Sequence, residues 1–338
     1  MSDFFQSKSI VTLQSLSVNA QMEAEVRRSE KRIVVVVPCS MRHYSLRTIH
    51  NLLDQLKTVR FLHEIVVVLN GTNAELEHDN NDLNESTERG LKCVNVLRVV
   101  SSGKGLALKA GFDYVYQHYQ KNAVVVTMDA DLQSFSFDYL LKLVYPIAVF
   151  GGDFNKGYYA RFSNNKLDGR LTRLLVLPLL YAIQAQHPTN ELLQWLLAFR
   201  YPLSGDVAMS SRLLPQLHFS EHWAYDLSLL TSLYQAKQKL EIYQTEVSDN
   251  YEHLHRSIEK DAALGLMEVA KDISDYLTAL LPLDRTRLIA DYHALSRQYC
   301  EKYRKLALFN GLSYSQEAEE TLIAQFLTHI EFQALTSV

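Results

Sequence analysis

The residues best suited to chemistry in this chain are two carboxylates, Asp129 and Asp131, at the end of the stretch AVVVTMDAD (123–131). Ala123 to Val126 are small or β-branched and read as a strand covered on both faces. Carried on to residues 129 and 131, the strand period of two puts both carboxylates on one side. Carboxylates held this close repel each other unless a cation lies between them or one is protonated. The pair therefore suits a hard divalent metal whose open side accepts a phosphate. The competing reading is an acidic turn in which an aspartate caps the next helix. Far downstream, His253 and His255 face the same way if their segment is extended. A neutral imidazole there is able to complete a carboxylate metal site.

Two further groups favour anions. In SSGKG (101–105) the glycines Gly103 and Gly105 allow close approach of the backbone to a ligand, and Lys104 between them brings a cation. The spacing is not that of a P-loop, and no GxGxxG follows a strand, which weakens a dinucleotide reading. At LDGRLTRLL (167–175), Gly169, Arg170, Leu171 and Thr172 stand at a helix start, where backbone N–H groups and a guanidinium hold an anion.

The elements that position these residues follow a repeating order. RIVVVVP (32–38) reads as a buried strand stopped by Pro38, and SLRTIHNLLDQLKT (45–58) as a helix. HEIVVVLNG (63–71) is a second strand. The acidic, Asn-rich 72–90 is a loop or short exposed helix. CVNVLRVV (93–100), a helix over 106–119 and the strand 123–128 follow. Strands alternating with helices imply a mostly parallel, doubly wound α/β sheet with helices on both faces. Ligands bind such sheets at the carboxyl ends of the strands. Pro38-Cys39-Ser40, Asn70-Gly71, Ser101 to Gly105 (including Ser102) and Asp129-Ala130-Asp131 all fall there, framing a nucleotide-sized site. Residues 1–30 read as helical, 152–165 as a polar aromatic loop, 243–257 as a strand running into a loop, and the chain from about 260 onward as helical.

Composition excludes other classes. The 338 residues are 47% hydrophobic and 21% charged, as in a globular protein with a large core. A net charge of −4 leaves no basic surplus for a nucleic-acid partner. Three scattered cysteines without CxxC spacing imply reduced thiols and a cytoplasmic setting. No signal-peptide pattern opens the sequence, and its longest apolar runs are too short to span a bilayer.

Taken in order, IVVVVP (33–38), GKGLALKAGF (103–112), VTMDAD (126–131), GRLTRLLVLPLL (169–180), PLSGDVAMSSRLL (202–214), WAYDLSLL (223–230) and YEHLHRSI (251–258) carry a family resemblance. The chain resembles retaining GT-A-fold glycosyltransferases and, more narrowly, the glucosyl-3-phosphoglycerate synthases. The resemblance implies a Rossmann-like GT-A domain over 31–258, with a nucleotide-binding part (31–131) and an acceptor-binding part (132–258). A helical extension would precede it (1–30), and a helical region would follow it (259–338). It implies a hexosyltransferase that uses Mg2+ or Mn2+, a UDP- or GDP-sugar donor and a small phosphorylated acceptor such as 3-phosphoglycerate.

Position by position, the resemblance makes Asp131 and His253 metal ligands and sets Asp129 against the donor ribose or sugar. Lys104 falls in the donor pocket, and Pro38 opens the loop framing the base. Gly169, Arg170 and Thr172 become the acceptor-phosphate loop, with His255 on the acceptor side. Asp226 stands where the family has a glutamate near the sugar. The implied mechanism is front-face transfer with retention, which needs charge neutralisation and positioning more than a strong base.

Two positions depart from the family. Cys39-Ser40-Met41-Arg42 lacks the usual carboxylate, and the second strand ends in Leu69-Asn70-Gly71 without an acid. The nucleotide base and the sugar therefore stay open at this stage. So do mannosyl transfer to glycerate or phosphoglycerate and a non-catalytic nucleotide-binding role. An inverting transferase acting on a lipid phosphate would draw its base from Asp206 or Asp226. The amphipathic helical tail implies a homodimer.

Overall fold

The computed structural model describes residues 6–14, 18–41, 46–77, 93–100, 103–132, 135–248 and 260–336. The chain divides into two compact units, residues 1–160 with 204–254 and residues 161–203 with 255–338. Among the described residues no helix is long and apolar enough to cross a membrane.

The first unit begins with β1 (Val11–Leu13), α1 (Ala20–Arg28), β2 (Arg32–Ser40), α2 (Leu46–Lys57), β3 (Leu62–Gly71) and α3 (Asn73–Glu77). It continues through β4 (Cys93–Val100), α4 (Lys104–Tyr119), β5 (Ala123–Thr127), α5 (Phe137–Ala148) and β6 (Phe154–Tyr159). The chain then passes through the second unit. There it forms β7 (Phe162–Ser163), β8 (Lys166–Leu167), a π-helical stretch (Leu171–Val176), α6 (Leu177–Gln186) and α7 (Glu191–Ala198). Back in the first unit it adds β9 (Val207–Ser210), a 3-10 segment (Ser211–Gln216), α8 (Tyr225–Ala236) and β10 (Ile242–Ser248). The remaining helices, α9 (Lys260–Ala279), α10 (Arg285–Phe309) and α11 (Gln316–Thr336), belong to the second unit.

One eight-stranded sheet in the order β1-β10-β6-β9-β5-β2-β3-β4 forms the first unit, parallel except where β9 runs against β5 and β6. Its core follows from the β-branched runs, because Val34 to Val37 on β2 and Ile65 to Val68 on β3 are completely buried. Helix α4 presents Ala107, Leu108, Gly111, Phe112 and Val115 as one buried stripe. Gly111 permits the close packing: a Cβ there would lie 2.5 Å from Val36 Cγ1. Chain order reverses at β2, which has β3 on one side and β5 on the other. The carboxyl ends of β2 and β5 are thus a topological switch point, where open α/β sheets bind ligands.

Three expectations change. Pro38 does not stop the first strand, which runs on to Ser40 in register with Asn70 on β3. Along β2 the even-numbered residues turn their backbone groups to β5, since Val36 O accepts from Met128 N. The β2–β5 pairing ends at Val36, so the N–H that proline lacks would have had no strand to bond. Residues 1–30 are not purely helical, because β1 pairs with β10 and extends the sheet. The expected loop 152–165 contains the fully buried strand β6. After Gly205-Asp206 the chain forms the antiparallel strand β9. Strand β6 hides a polar group: Asn155 donates to Leu143 O (2.7 Å) and accepts from Thr245 Oγ1 (2.9 Å).

Candidate active site

The switch point gathers a buried set of charges in the first unit. Lys104 opens α4 just past Gly103, the N-cap, and its ammonium donates to Asp129 Oδ1 at 2.7 Å. Both side chains are largely buried. The pair packs against Gly205, whose missing side chain is essential, because a Cβ there would lie 2.6 Å from Lys104 Nζ and 3.1 Å from Asp129 Oδ1. The turn 204–206 is held at every carbonyl. Lys156 Nζ donates to Ser204 O (2.6 Å), Thr127 Oγ1 to Gly205 O, and Gly157 N to Asp206 O (2.9 Å). Tyr159 donates to Asp206 Oδ2 at 3.0 Å.

Asp226, in the first turn of α8, completes the group. Burial pushes its carboxyl above the usual range, against the opposing pull of Lys104 and Lys156. Its Oδ1 is buried and accepts no hydrogen bond from a described residue. Burial works to lower the Lys104 pKa, but Asp129, Asp226 and Asp206 outweigh it and hold the ammonium charged. Lys156 is 1% exposed, and burial brings it down to about 8, with Asp226 resisting the shift. Three carboxylates and two lysines thus sit together in a largely buried site, where electrostatic interactions are strong.

Pro38, Cys39 and Ser40 end β2 beside Val68, Leu69 and Asn70 at the end of β3. Cys39 and Asn70 are buried. The close approach that Gly103 and Gly105 allow is taken by the chain itself: a Cβ on either would lie about 2 Å from the carbonyl oxygen of Glu221 or Ser220. Leu106 N donates to Glu221 O at 3.0 Å. These glycines therefore let the 220–221 backbone seat against the start of α4.

Asp129, Ala130 and Asp131 do not continue the strand. Strand β5 ends at Thr127, and Leu132 N donates to Asp129 O (3.3 Å), so the two aspartates lie in a turn. Period two therefore does not relate them, and their surroundings differ. Asp129 is tied to Lys104, and Asp131 is half-buried two residues on. Among the described residues no three His, Cys, Asp or Glu side chains gather to hold a metal. His253, His255 and Ser102 lie outside the described residues. The carboxylate oxygens of this turn fit Mg2+ or Mn2+, which take oxygen ligands and keep positions for phosphate oxygens.

The predicted anion loop belongs to the second unit. Gly169 adopts φ +67°, a conformation natural to glycine, and a Cβ would lie 3.1 Å from Tyr201 Oη. Arg170 and Leu171 lead into the π-helical stretch, whose irregular geometry often marks functional segments. Arg170 is half-buried, and burial with the nearby Arg173 and Arg161 lowers its pKa against the pull of Asp168 and Glu319. Thr172 is 3% exposed, and its Oγ1 finds no hydrogen-bond partner among the described residues. A buried donor of this kind beside a guanidinium is suited to an anionic ligand. Lys156 carries no functional signal in the sequence, where it is simply a lysine between Asn155 and Gly157.

No protein-family model matches the chain. A glucosyl-3-phosphoglycerate synthase of Persephonella marina is 29% identical over 358 aligned positions, covering 97% of this chain and 88% of that protein. Another of the same name, from Methanococcoides burtonii, is 31% identical over 211 positions, covering 59% of this chain and 52% of that protein. Among solved structures, Mycobacterium tuberculosis glucosyl-3-phosphoglycerate synthase in complex with phosphoglyceric acid superposes with a TM-score of 0.60 at 20% identity. The match spans 82% of this chain and 90% of that one. The same enzyme with Mn2+, UDP-glucose and phosphoglyceric acid gives a TM-score of 0.57 at 20% identity over the same shares. These neighbours share the mostly parallel α/β fold expected from the sequence.

Lys156 yields a pH signature. Its folded pKa of about 8 lies below the ordinary 10.5, so between those values the unfolded chain binds more protons and stability rises with pH. Between pH 8 and pH 10 the stability from urea unfolding is expected to change more favourably with pH in the wild type than in Lys156→Met, the difference being the Lys156 contribution. An unchanged slope in the variant would contradict the assignment.

Proposed function

We propose that this glycosyltransferase, similar along nearly its whole length to glucosyl-3-phosphoglycerate synthase, transfers glucose from UDP-glucose to 3-phosphoglycerate with retention and with Mg2+ or Mn2+. The observation that carries the reading is the Lys104–Asp129–Asp226 cluster at the switch point, in a chain so related. UDP is the nucleotide of the related solved complexes, and a GDP-sugar has no support from them.

In this reading Asp131, with His253, would hold the metal, which supplies Lewis-acid stabilisation of the departing diphosphate. Lys104 is a fixed cation of the donor pocket, prevented from turning away by Asp129 and Gly205. Because the charge is positioned before the reaction, it costs no reorganisation when negative charge develops on the diphosphate. Asp226, buried with one oxygen open to a hydrogen bond, accepts from a sugar hydroxyl and offsets positive charge developing at the anomeric carbon. Pro38, Cys39, Ser40 and Asn70 frame the base, with Ser102, Gly103 and Ala130 lining the donor. In the second unit, Arg170 pairs with the acceptor phosphate. The Gly169–Thr172 backbone and the Thr172 hydroxyl add hydrogen bonds, and His255 completes the acceptor side. The acceptor hydroxyl then attacks on the face the diphosphate leaves. Positioning of this sort replaces a strong general base. We also place the enzyme in the cytoplasm, in keeping with the buried Cys39 and Cys300, neither of which forms a disulfide, and as a homodimer.

Calorimetry should show UDP binding that strengthens with Mn2+, and Asp131→Ala should abolish the metal dependence; metal-dependent binding in that variant would remove Asp131 from the metal site. Arg170→Ala should raise the KM for 3-phosphoglycerate roughly ten- to a hundredfold, the value of a charge-assisted hydrogen bond, while the UDP-glucose KM stays put. An unchanged acceptor KM would reject the phosphate role. A panel of UDP- and GDP-sugars against 3-phosphoglycerate, glycerate and glycerol 3-phosphate should give most turnover with UDP-glucose and 3-phosphoglycerate. No turnover anywhere in the panel would defeat the proposal. Sedimentation velocity is expected to give a dimer; a monomer at micromolar concentration would refute that part.

A further inference from the structure

The second unit contains a buried ion pair that the reaction does not call on directly. Arg173, 5% exposed in the π-helical stretch, makes a two-pronged pair with Glu319 of α11, Nη1 to Oε2 at 2.7 Å and Nη2 to Oε1 at 2.6 Å. The same guanidinium reaches back along the chain. Its Nε donates to Asp168 O at 2.7 Å and its Nη2 to Leu167 O at 3.4 Å, and the backbone N–H of Arg173 donates to Gly169 O at 3.0 Å. The three carbonyls just ahead of Arg170 are therefore all held by one residue. The Tyr303 ring of α10 lies 4.9 Å from the guanidinium carbon. Tyr314 Oη lies 3.1 Å from Glu319 Oε2 and 2.7 Å from Cys300 O, linking the carboxylate to α10.

The planar fork of arginine suits this task, since it bonds a carboxylate bidentately and still has a donor to spare. Charge matters as much as shape. Arg161, Arg170 and Arg173 act on one another in this loop, and Glu319 neutralises the most buried of the three. Arg173 is thereby committed within the protein, while Arg170 forms no ion pair with a described residue. Without Glu319 the guanidinium of Arg173 would be an uncompensated buried charge beside Arg170, a costly arrangement that the loop would relieve by moving.

We propose that Glu319 is a positioning residue for the acceptor: by locking Arg173 onto the Leu167 and Asp168 carbonyls, the last helix fixes the Gly169–Thr172 turn that binds the acceptor's anionic group. This rests on the acceptor-loop reading given above. It assigns the helical C-terminal region a part in substrate binding without contact to the substrate.

The test compares wild type, Glu319→Gln and the double variant R173M/E319L. The double variant replaces the pair by apolar side chains, a change that commonly preserves folding. Steady-state KM values for 3-phosphoglycerate and UDP-glucose are measured together with Tm, and calorimetry follows 3-phosphoglycerate binding directly. Both variants are expected to raise the acceptor KM and Kd about ten- to a hundredfold, the scale of a misplaced binding group. The UDP-glucose KM should stay within about twofold, a split that general loss of structure would not produce. A folded double variant with wild-type acceptor KM overturns the proposal. So does a parallel rise in both KM values, or failure of both variants to fold, because either makes the pair a structural one. Wild-type protein that binds UDP-glucose but not 3-phosphoglycerate would sink the acceptor reading itself and this inference with it, a failure seen before any variant is made.

Discussion

The ion pair between Lys104 and Asp129 organises the first unit's site. It joins the start of α4 to the turn after β5, two places brought together only when β2 lies between β3 and β5 in the finished sheet. Burying a lysine and an aspartate is expensive unless each satisfies the other. Here the cost is reduced because Asp206 and Asp226 also stabilise the Lys104 ammonium. Gly205 is what allows the approach, because even a methyl group would enter the space of the ammonium. The turn carrying that glycine is in turn held by Lys156, Thr127 and Gly157. A site built in this way is rigid for electrostatic reasons: moving any one charge leaves another unpaired in a region of low dielectric.

How much of this was legible in the sequence depended on whether the signal was local. Strands β2, β3 and β5 were readable because runs of valine and isoleucine demand burial on both faces. The convergence of 38–40, 70 and 129–131 followed from topology alone, since parallel strands place their carboxyl ends on one edge. Strand β6 was hidden because Asn155 and Lys156 look like surface residues, and only partners far along the chain, such as Ser204 and Thr245, make their burial tolerable. Strand β9, Val207–Ser210, is too short to display a period. The geometry of Asp129 and Asp131 was misjudged for a related reason. A strand's end is set by where its neighbours stop pairing, and the β2–β5 pairing stops at Val36 with Thr127.

The two units differ in how they make charge useful. In the first, charges of both signs share one buried pocket: neighbouring carboxylates hold Lys104 charged, while burial pushes the Asp226 carboxyl up and Lys156 down. In the second, arginines are concentrated near one glycine turn, and a single carboxylate from a distant helix selects which of them is spent internally. The front-face glycosyl transfer proposed above would make matching demands. The donor side must accommodate charge of both signs as the sugar–diphosphate bond breaks, whereas the acceptor side must simply hold an anion still.

The three-residue strand β1 has a wider consequence than its length implies. It pairs in parallel with Tyr243, Gln244 and Thr245 and so covers what would otherwise be the open β10 edge of the other seven strands. The side chain of Gln244 also donates to Thr12 Oγ1 at 2.9 Å, a buried tie across 232 positions of sequence. An uncovered strand edge is a template for pairing with other molecules. Strand β10 is the element from which the chain departs toward His253. Residues 11–13 thus act as a selvedge, finishing the margin of the sheet and keeping the strand that precedes the histidine from being drawn into pairing with another molecule.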